Sequence, residues 1–354
     1  MAQPGTRLFI SNCAYTDGQI TATSTAGTTG VSAFIVGYAG KKATIESCYS
    51  QASFSNDDDY DTGMAFARGE NTVIEKCYQY ILSGEVSTNP NYMQNGVGKY
   101  TRDDAKRGIL AYKLNGETND PSKGIRWEHE IYNGETLPHV AVIGDECKGV
   151  YNTRNITNSL GTIVLPYDAV SNDDVTYYTL AGANADGTIG FESVDVLPAG
   201  TPAVFATPII GTLTFTGCAN DNFGYTNHDV QQGNWTMKGN LRDPYNDLFF
   251  VKENGDDMSR LYYISGGQVK HATNSLEVAP LRAYLEGPAF SSAQSIAIRL
   301  DDGDATLISW AEEDDAPFLE QTVGETPAYN LQGQQVGDGY KGIVILNGKK
   351  YIKR

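Results

Sequence analysis

A short motif, in which an isoleucine precedes a cysteine by three residues, occurs three times near the start of the 354-residue chain. The pairs are Ile10–Cys13, Ile45–Cys48 and Ile74–Cys77. A tyrosine follows each cysteine by one or two positions, and the cysteines lie 35 and 29 residues apart, which is the period of a solenoid. A chain that returns to the same place after each period stacks its copies. We therefore expect one interior row of isoleucines and a second row of cysteines.

The cysteine row is expected to serve packing, because a buried free cysteine behaves as a small hydrophobe. The alternative is a metal or redox cluster, which would need nearby histidines at ligand spacing. The five cysteines are odd in number and widely spaced, so they predict no disulfide framework, and no Cys-x-x-Cys pair indicates zinc.

A different pattern fills the region from about Gly161 to Asp304. Short alternating strands recur there, separated by Gly, Asn and Asp turns, and no segment has a helical period long enough to cross over a parallel sheet. Examples are GTIVLPY, VTYYTLAGA, GTLTFTG, RLYYISGGQVK and SIAIRLDDG. The pattern predicts an antiparallel β-sandwich or jelly roll, and the chain as a whole is expected to be all-β.

Between the repeats and the strands lies a segment with one helix and one hairpin. TRDDAKRGILAYKLNG predicts a short helix with Asp103 as its N-cap and its end at Asn115-Gly116. The run GILAYKLNG…WEHEIYNGETLPHV…GVY resembles a linker element that follows Gly-rich repeats in Bacteroidetes surface proteins, and this resemblance implies the hairpin. Together they would cap the open end of the solenoid, whose strand edges are otherwise unpaired.

Several of these stretches resemble proteins of Bacteroidetes surfaces. VGYAG (from Val36) and SCYS (from Ser47) resemble Gly-rich GLUG-type repeats, which implies a short right-handed β-helix. GTIVLPYDA, VLPAGTPAVF, APLRAYLEGP and SIAIRLDDGDAT resemble, in that order, a C-terminal domain of secreted Bacteroidetes proteins. The last 26 residues resemble terminal tails that direct type IX-like export, with strands at Ala328 to Val336 and Gly342 to Leu346 before an Asn-Gly turn.

These patterns divide the chain into four parts. We expect β-helix repeats over 1–92, a capping segment over 93–155, the β-sandwich over 156–325 and a sorting-like β tail over 326–354. The N-terminus lacks the basic and apolar regions of a signal peptide and begins within a repeat, so a fragment of a longer precursor is expected.

Charge restricts the partners. A formal net charge of −17 argues against a nucleic-acid partner and against docking on an anionic membrane, since both need a basic footprint. No apolar run approaches 18 residues, so no transmembrane segment is predicted. The pattern does not define an oligomeric state.

The candidate ligand-binding residues are aromatic. Trp235, Trp310, Tyr262 and Tyr263 are candidates for stacking on sugar rings, with core packing as the alternative. Tyr262 and Tyr263 alternate in a strand, so at least one should be exposed.

Two polar clusters are candidates for a metal site. Asp57, Asp59 and Asp61 alternate as calcium ligands do, but the following glycine and the missing glutamate do not fit an EF-hand, which favours a solvated acidic loop. Calcium is thus the one cofactor considered. His129 and His139, with neighbouring glutamates, allow a metal site or an acid/base pair, against the commoner alternative of unrelated surface polar residues.

No residue is assigned a catalytic role, because GxSxG, HExxH, P-loop and Rossmann motifs are missing from the sequence. The leading hypothesis is a non-catalytic secreted or cell-surface protein, extracellular or on the outer membrane, that contacts a glycan or a host or cell-surface protein as an adhesin does. One alternative is an accessory part of a polysaccharide-degrading enzyme. Another is a purely structural surface spacer.

Overall fold

The computed structural model describes fifteen stretches of the chain. They are residues 8–16, 19–22, 43–51, 53–56, 72–80, 97–217, 222–241, 250–252, 258–273, 275–289, 295–300, 328–329, 335–336, 342–346 and 349–353. Within these stretches the chain forms β-strands throughout, with two short α-helices and two single-turn 3₁₀ helices. The all-β prediction is confirmed.

The repeats form stacked parallel strands. The strands are β1 (Leu8–Ser11), β2 (Ala14–Tyr15), β3 (Gln19–Ala22), β4 (Ala43–Glu46), β5 (Tyr49–Ser50), β6 (Ser53–Asn56), β7 (Thr72–Glu75), β8 (Cys77–Tyr80) and β9 (Val97–Tyr100). They assemble as β1-β4-β7, β2-β5-β8-β9 and β3-β6. Ile10 pairs in register with Ile45, and Ile45 with Ile74, so the predicted isoleucine row is confirmed.

Each repeat turns a corner at the residue before its cysteine. Asn12, Ser47 and Lys76 have φ values of 53°, 53° and 52°, in the left-handed region that glycine favours. The recurrence of one strained conformation at one motif position shows that the three copies share a backbone path as well as a sequence pattern.

The capping segment contains two short helices instead of one. Helix α1 spans Arg102–Lys106 and α2 spans Ile109–Leu114. They are separated at Gly108, whose φ of 76° is left-handed and whose missing Cβ leaves room for Val150. The prediction of Asp103 as N-cap is wrong. Thr101 is the cap, because its hydroxyl accepts the Asp104 N–H and the Asp104 carboxylate accepts the Thr101 N–H, forming a capping box.

The predicted hairpin is confirmed, since β10 (Trp127–Glu130) pairs antiparallel with β11 (His139–Val140). A 3₁₀ turn at Pro121–Lys123 precedes it. The other edge of β10 pairs in parallel with β12 (Val150–Ile156), and β12 pairs antiparallel with a later strand, β19. The hairpin is therefore part of a four-stranded sheet, ordered β11-β10-β12-β19.

The region of alternating sequence forms the strands that follow β12. They are β13 (Leu160–Ile163), β14 (Ala169–Val170), β15 (Thr176–Ala183), β16 (Ile189–Val194), β17 (Val196–Leu197), β18 (Ala203–Ala206), β19 (Gly211–Phe215), β20 (Val230–Gln232), β21 (Trp235–Gly239), β22 (Phe250–Lys252), β23 (Leu261–Ser265), β24 (Gln268–His271), β25 (Leu276–Val278), β26 (Ala283–Glu286) and β27 (Ser295–Leu300). A 3₁₀ turn at Met258–Arg260 leads into β23, and two-stranded sheets pair β14 with β17 and β22 with β25.

Ten of these strands make one sheet that curls back on itself. Its order is β13-β18-β15-β16-β27-β24-β23-β26-β21-β20. Strand β15, near one end, contacts β20 and β21 at the other, and β13 contacts β23 and β26. The sheet is mixed, because β16 and β27 pair in parallel. Strands β16 and β27 lie far apart in the chain, so their parallel pairing needs no helical crossover directly between them. The sequence pattern therefore did not reveal this pairing.

Two main hydrophobic clusters fill the protein. The first runs from the repeats through the capping segment into the large sheet, and includes Tyr49, Trp127, Val150, Tyr167 and Phe215. The second lies between the ends of the curled sheet. Its buried members are Leu180, Ile189, Phe191, Val204, Trp235, Met237, Tyr262, Val269, Ala283, Leu285 and Ile298.

The C-terminal tail forms β28 (Ala328–Tyr329), β29 (Gln335–Val336), β30 (Gly342–Leu346) and β31 (Lys349–Lys353), ordered β29-β28-β30-β31. The predicted strand at 342–346 is confirmed. The prediction of one strand over 328–336 is wrong, because its two ends pair antiparallel with each other as β28 and β29. Among the described residues, no helix has the length and apolar character needed to cross a bilayer.

Candidate ligand-binding site

The predicted aromatic candidates lie in different environments. Trp235 and Tyr262 pack against each other inside the curled sheet, with ring centroids 4.9 Å apart and 4% and 0% of their surface exposed. Tyr263 points the other way and is 37% exposed, so the expected alternation of the two tyrosines is confirmed. Trp310 lies outside the described residues. Of the three described candidates, only Tyr263 offers a ring to a ligand at the surface.

Gly287 determines how closely the Trp235 ring packs against the neighbouring backbone. A Cβ at Gly287 would lie 2.3 Å from the Trp235 ring, so only glycine fits the opposing backbone. The hydroxyl of Tyr262 donates to the Pro288 carbonyl in the same turn. These contacts give both rings a packing role.

The acidic candidates Asp57, Asp59 and Asp61 lie outside the described residues. Within the described part of the chain, no three His, Cys, Asp or Glu side chains are arranged to hold a metal ion. Cys48 and Cys77 line the interior of the repeats, whereas Cys13 of the first copy is exposed, so the predicted interior cysteine row holds for two of the three copies. The thiols of Cys13, Cys48 and Cys77 each donate to the carbonyl two residues earlier, at 3.2–3.3 Å. Burial raises the pKa of Cys13, which keeps that thiol protonated.

The histidines of the hairpin alternate in space with two glutamates. His139 lies 3.4 Å from Glu128 and 3.7 Å from Glu135, and the other oxygen of Glu135 lies 4.0 Å from Nδ1 of His129. Burial lowers the pKa of His129, which is wholly buried and contacts the Lys106 carbonyl through Nε2 at 3.1 Å.

Both glutamate carboxylates also accept backbone hydrogen bonds. Glu128 accepts the Lys148 N–H at 2.7 Å and Glu135 accepts the Glu130 N–H at 2.8 Å. A substrate could not reach the inner imidazole without opening the hairpin. The arrangement therefore braces β10 and β11 against α1, in keeping with the structural alternative for these histidines.

An open cleft of about 390 Å³ lies where the sheet curls back on itself. Strand β13 here approaches β23 and β26, and the loop after β12 closes one side. The lining includes Asn155, Asn158, Gly161, Phe205, Tyr263, Glu277 and Arg282. It combines one exposed aromatic ring with hydrogen-bonding amides and a cation, which is the composition of a ligand site.

Gly161 shapes the floor of this cleft. A Cβ at that position would lie 2.7 Å from the Phe205 ring and 3.6 Å from Nη1 of Arg282. Glycine therefore lets the Phe205 ring approach the strand, while the guanidinium lies at ordinary van der Waals distance from this position. Arg282 directly precedes β26 and is half-buried, and its guanidinium has no hydrogen bond or ion pair among the described residues.

A second arginine lies beside Arg282. Arg154, on β12, donates to the carbonyls of Thr162 and Leu281, and its guanidinium lies 5.2 Å from the Phe215 ring centroid. Burial lowers the pKa of Arg154, and the charge of Arg282 lowers it further. Sequence reasoning missed both arginines. The available signal was a charged residue within the alternating strand VYNTRNI, but the pattern does not show that it meets APLRAYLEGP.

Another cleft, of about 440 Å³, lies beside Asp168 and Asn222. Its one carboxylate is already used, because the Asp168 oxygens accept the Ala199 N–H and the Asn222 amide at 2.7 and 2.9 Å. The cleft at Tyr263 is therefore the better candidate, since its cation is still available.

No protein-family model, curated protein or solved structure matches the chain. The class that the described residues define is an all-β protein with stacked parallel repeats and a large curled sheet that carries a polar, arginine-containing cleft.

Proposed function

We propose that this chain is a non-catalytic, secreted or cell-surface binding module that contacts carbohydrate through the cleft at Tyr263. The observation that carries the proposal is the cleft itself, which is lined by an exposed tyrosine ring and by the amide side chains of Asn155 and Asn158. Sugar rings stack on aromatic faces through their C–H groups and satisfy their hydroxyls with such amides and with guanidinium groups.

The architecture supports a display role. We propose that the repeats are a short right-handed β-helix, supported by the in-register parallel stacking of Ile10, Ile45 and Ile74. We propose that the curled sheet serves as the sandwich-like domain that carries the binding cleft. The resemblance of the repeats to GLUG segments and of the tail to export signals supports a surface location.

The test is a binding screen on immobilised polysaccharides and a glycan array, using the whole chain with and without calcium. We expect binding to at least one glycan class, and loss of that binding in Tyr263→Ala. The matched control is Phe9→Ala, which removes another exposed ring, 61% accessible, from strand β1 of the repeats. An intact Tyr263→Ala signal, or no binding to any glycan, would refute the proposal and leave a protein-directed adhesin or a spacer.

A further inference from the structure

We propose that the cleft at Tyr263 selects acidic saccharides, with the guanidinium of Arg282 binding the carboxylate of a uronic-acid residue. This inference rests on the proposed function and narrows its ligand class. Two neighbouring arginines at this site, Arg154 and Arg282, form no ion pair with a carboxylate among the described residues.

The contrast with the rest of the chain is informative. The chain carries 43 acidic and 26 basic side chains, so a cation has many carboxylates from which a partner could come. Two other cations of the large sheet have such partners, since Lys238 lies 3.0 Å from Glu286 and Arg299 lies 3.8 Å from Asp186. Arg282, in the cleft, has none among the described residues.

Arg154 adds a second positive charge beside that of Arg282. Its hydrogen bonds go to two backbone carbonyls, which are neutral, so its charge stays uncompensated beside Arg282. Two like charges close together, half removed from water, raise each other's energy. An anion that enters the cleft relieves this repulsion, and a planar carboxylate matches the fork of a guanidinium in two parallel hydrogen bonds.

The remainder of the cleft fits a sugar better than a bare anion. The volume of about 390 Å³ far exceeds a single carboxylate group, and Tyr263 provides a ring at its edge. Asn155, near the end of β12, and Asn158, on the loop that follows, are exposed and offer both donors and acceptors to hydroxyl groups.

One carboxylate does line the cleft. Glu277, on β25, is exposed and forms no ion pair with Arg282. It therefore repels an acidic ligand without neutralising the arginine. Its removal should strengthen binding, which gives the proposal a prediction of opposite sign to the loss of Arg282.

The experiment compares a charged and an uncharged probe with the same sugar backbone: a galacturonic-acid oligomer and its fully methyl-esterified form, which carries one methyl group on each carboxyl. Binding to the whole chain is measured by calorimetry at low and at moderate salt. We expect the acid to bind on the order of tenfold more tightly than the ester, an advantage that shrinks as salt screens the charge.

Substitutions test which residues make the acid bind more tightly than the ester. Arg282→Met should abolish it, Arg282→Lys should retain part of it because the charge stays while the fork is lost, and Glu277→Gln should increase it. The control Arg126→Met removes an equal charge from an exposed site on the capping segment and should leave binding unchanged. Circular dichroism confirms that each variant is folded.

The outcomes separate this inference from the proposed function. Equal binding of acid and ester, both lost in Tyr263→Ala, would overturn the acidic-ligand inference and leave carbohydrate binding intact. No binding of either probe, together with an empty glycan screen, would overturn both. If polyglutamate binds as tightly as the galacturonic-acid oligomer and loses its binding in Arg282→Met, the site selects acidic peptides and the saccharide assignment is wrong.

Discussion

Trp127 joins the repeats to the capping segment, and its replacement by phenylalanine should destabilise both. The side chain is 1% exposed, its indole N–H donates to the Ser47 carbonyl at 3.1 Å, and its ring lies 5.3 Å from that of Tyr49. Trp127→Phe removes this donor from a buried carbonyl, which costs about 1–3 kcal/mol. The smaller ring leaves a cavity that adds about 1 kcal/mol.

The expected total is about 2–4 kcal/mol, a large fraction of the roughly 5–15 kcal/mol that stabilises a typical domain. The assay is urea unfolding followed by circular dichroism, combined with amide hydrogen exchange over residues 43–51. We expect a lower urea midpoint and faster exchange in that repeat, because the Ser47 corner loses its contact with the hairpin.

Two further variants calibrate the result. Tyr49→Phe keeps the ring and removes only the hydroxyl that donates to the Pro138 carbonyl at 2.9 Å, so a loss of about 1–2 kcal/mol is expected. Phe9→Ala, on the exposed face of β1, should change stability by less than about 0.5 kcal/mol. A Trp127→Phe protein as stable as the wild type, with unchanged exchange over 43–51, would refute the assignment of Trp127 as the joining residue.

Three other predictions follow from individual positions. Ser47 has a φ of 53°, which glycine adopts readily and a β-branched residue does not. In urea unfolding, Ser47→Gly should be neutral or stabilising by up to about 1 kcal/mol, and Ser47→Val should be destabilising by about 1–2 kcal/mol. The reverse order would contradict the left-handed corner. Burial lowers the pKa of His129 from the ordinary value of about 6.5, so between these two pKa values the unfolded chain binds more protons than the folded chain. The stabilising contribution of the neutral His129 is therefore complete above about pH 6.5 and is lost as the pH falls. His129→Gln should therefore flatten the slope of unfolding free energy against pH by up to about 1.4 kcal/mol per unit, and equal slopes would argue against a buried neutral imidazole. Gly287→Ala should lower thermal stability by about 1–3 kcal/mol, because the added methyl group clashes with Trp235. The control Gly224→Ala, at a position with open space around it, should not lower it. Equal melting temperatures of the two variants would contradict the buried position of the Trp235 ring.

Local patterns in the sequence predicted most of the elements of the fold, although one predicted helix is two helices and the predicted strand over 328–336 is wrong. The Ile-x-x-Cys motif predicted the isoleucine row, because stacked parallel strands bring equal motif positions into register. Alternation predicted the strands of the large sheet and the opposite orientations of Tyr262 and Tyr263. The N-cap was misplaced because Asp103 and Thr101 are both good capping residues, and only the reciprocal hydrogen bonds with Asp104 distinguish them.

The candidate site could not be predicted in the same way. Trp235 and Tyr263 have equal claims as binding aromatics in the sequence, and the curl of the sheet buries one and exposes the other. Arg154 and Arg282 lie far apart in the chain and become neighbours only where β13 approaches β26.

The sequence by itself thus determined most of the strand content and the repeat register, because these depend on periodicities of a few residues and on the repeat spacing. The tertiary structure alone decided where the sheet closes, which rings stay accessible and which charges meet. Those features depend on long-range packing of the two ends of one curled sheet, and short-range alternation carries no information about that closure.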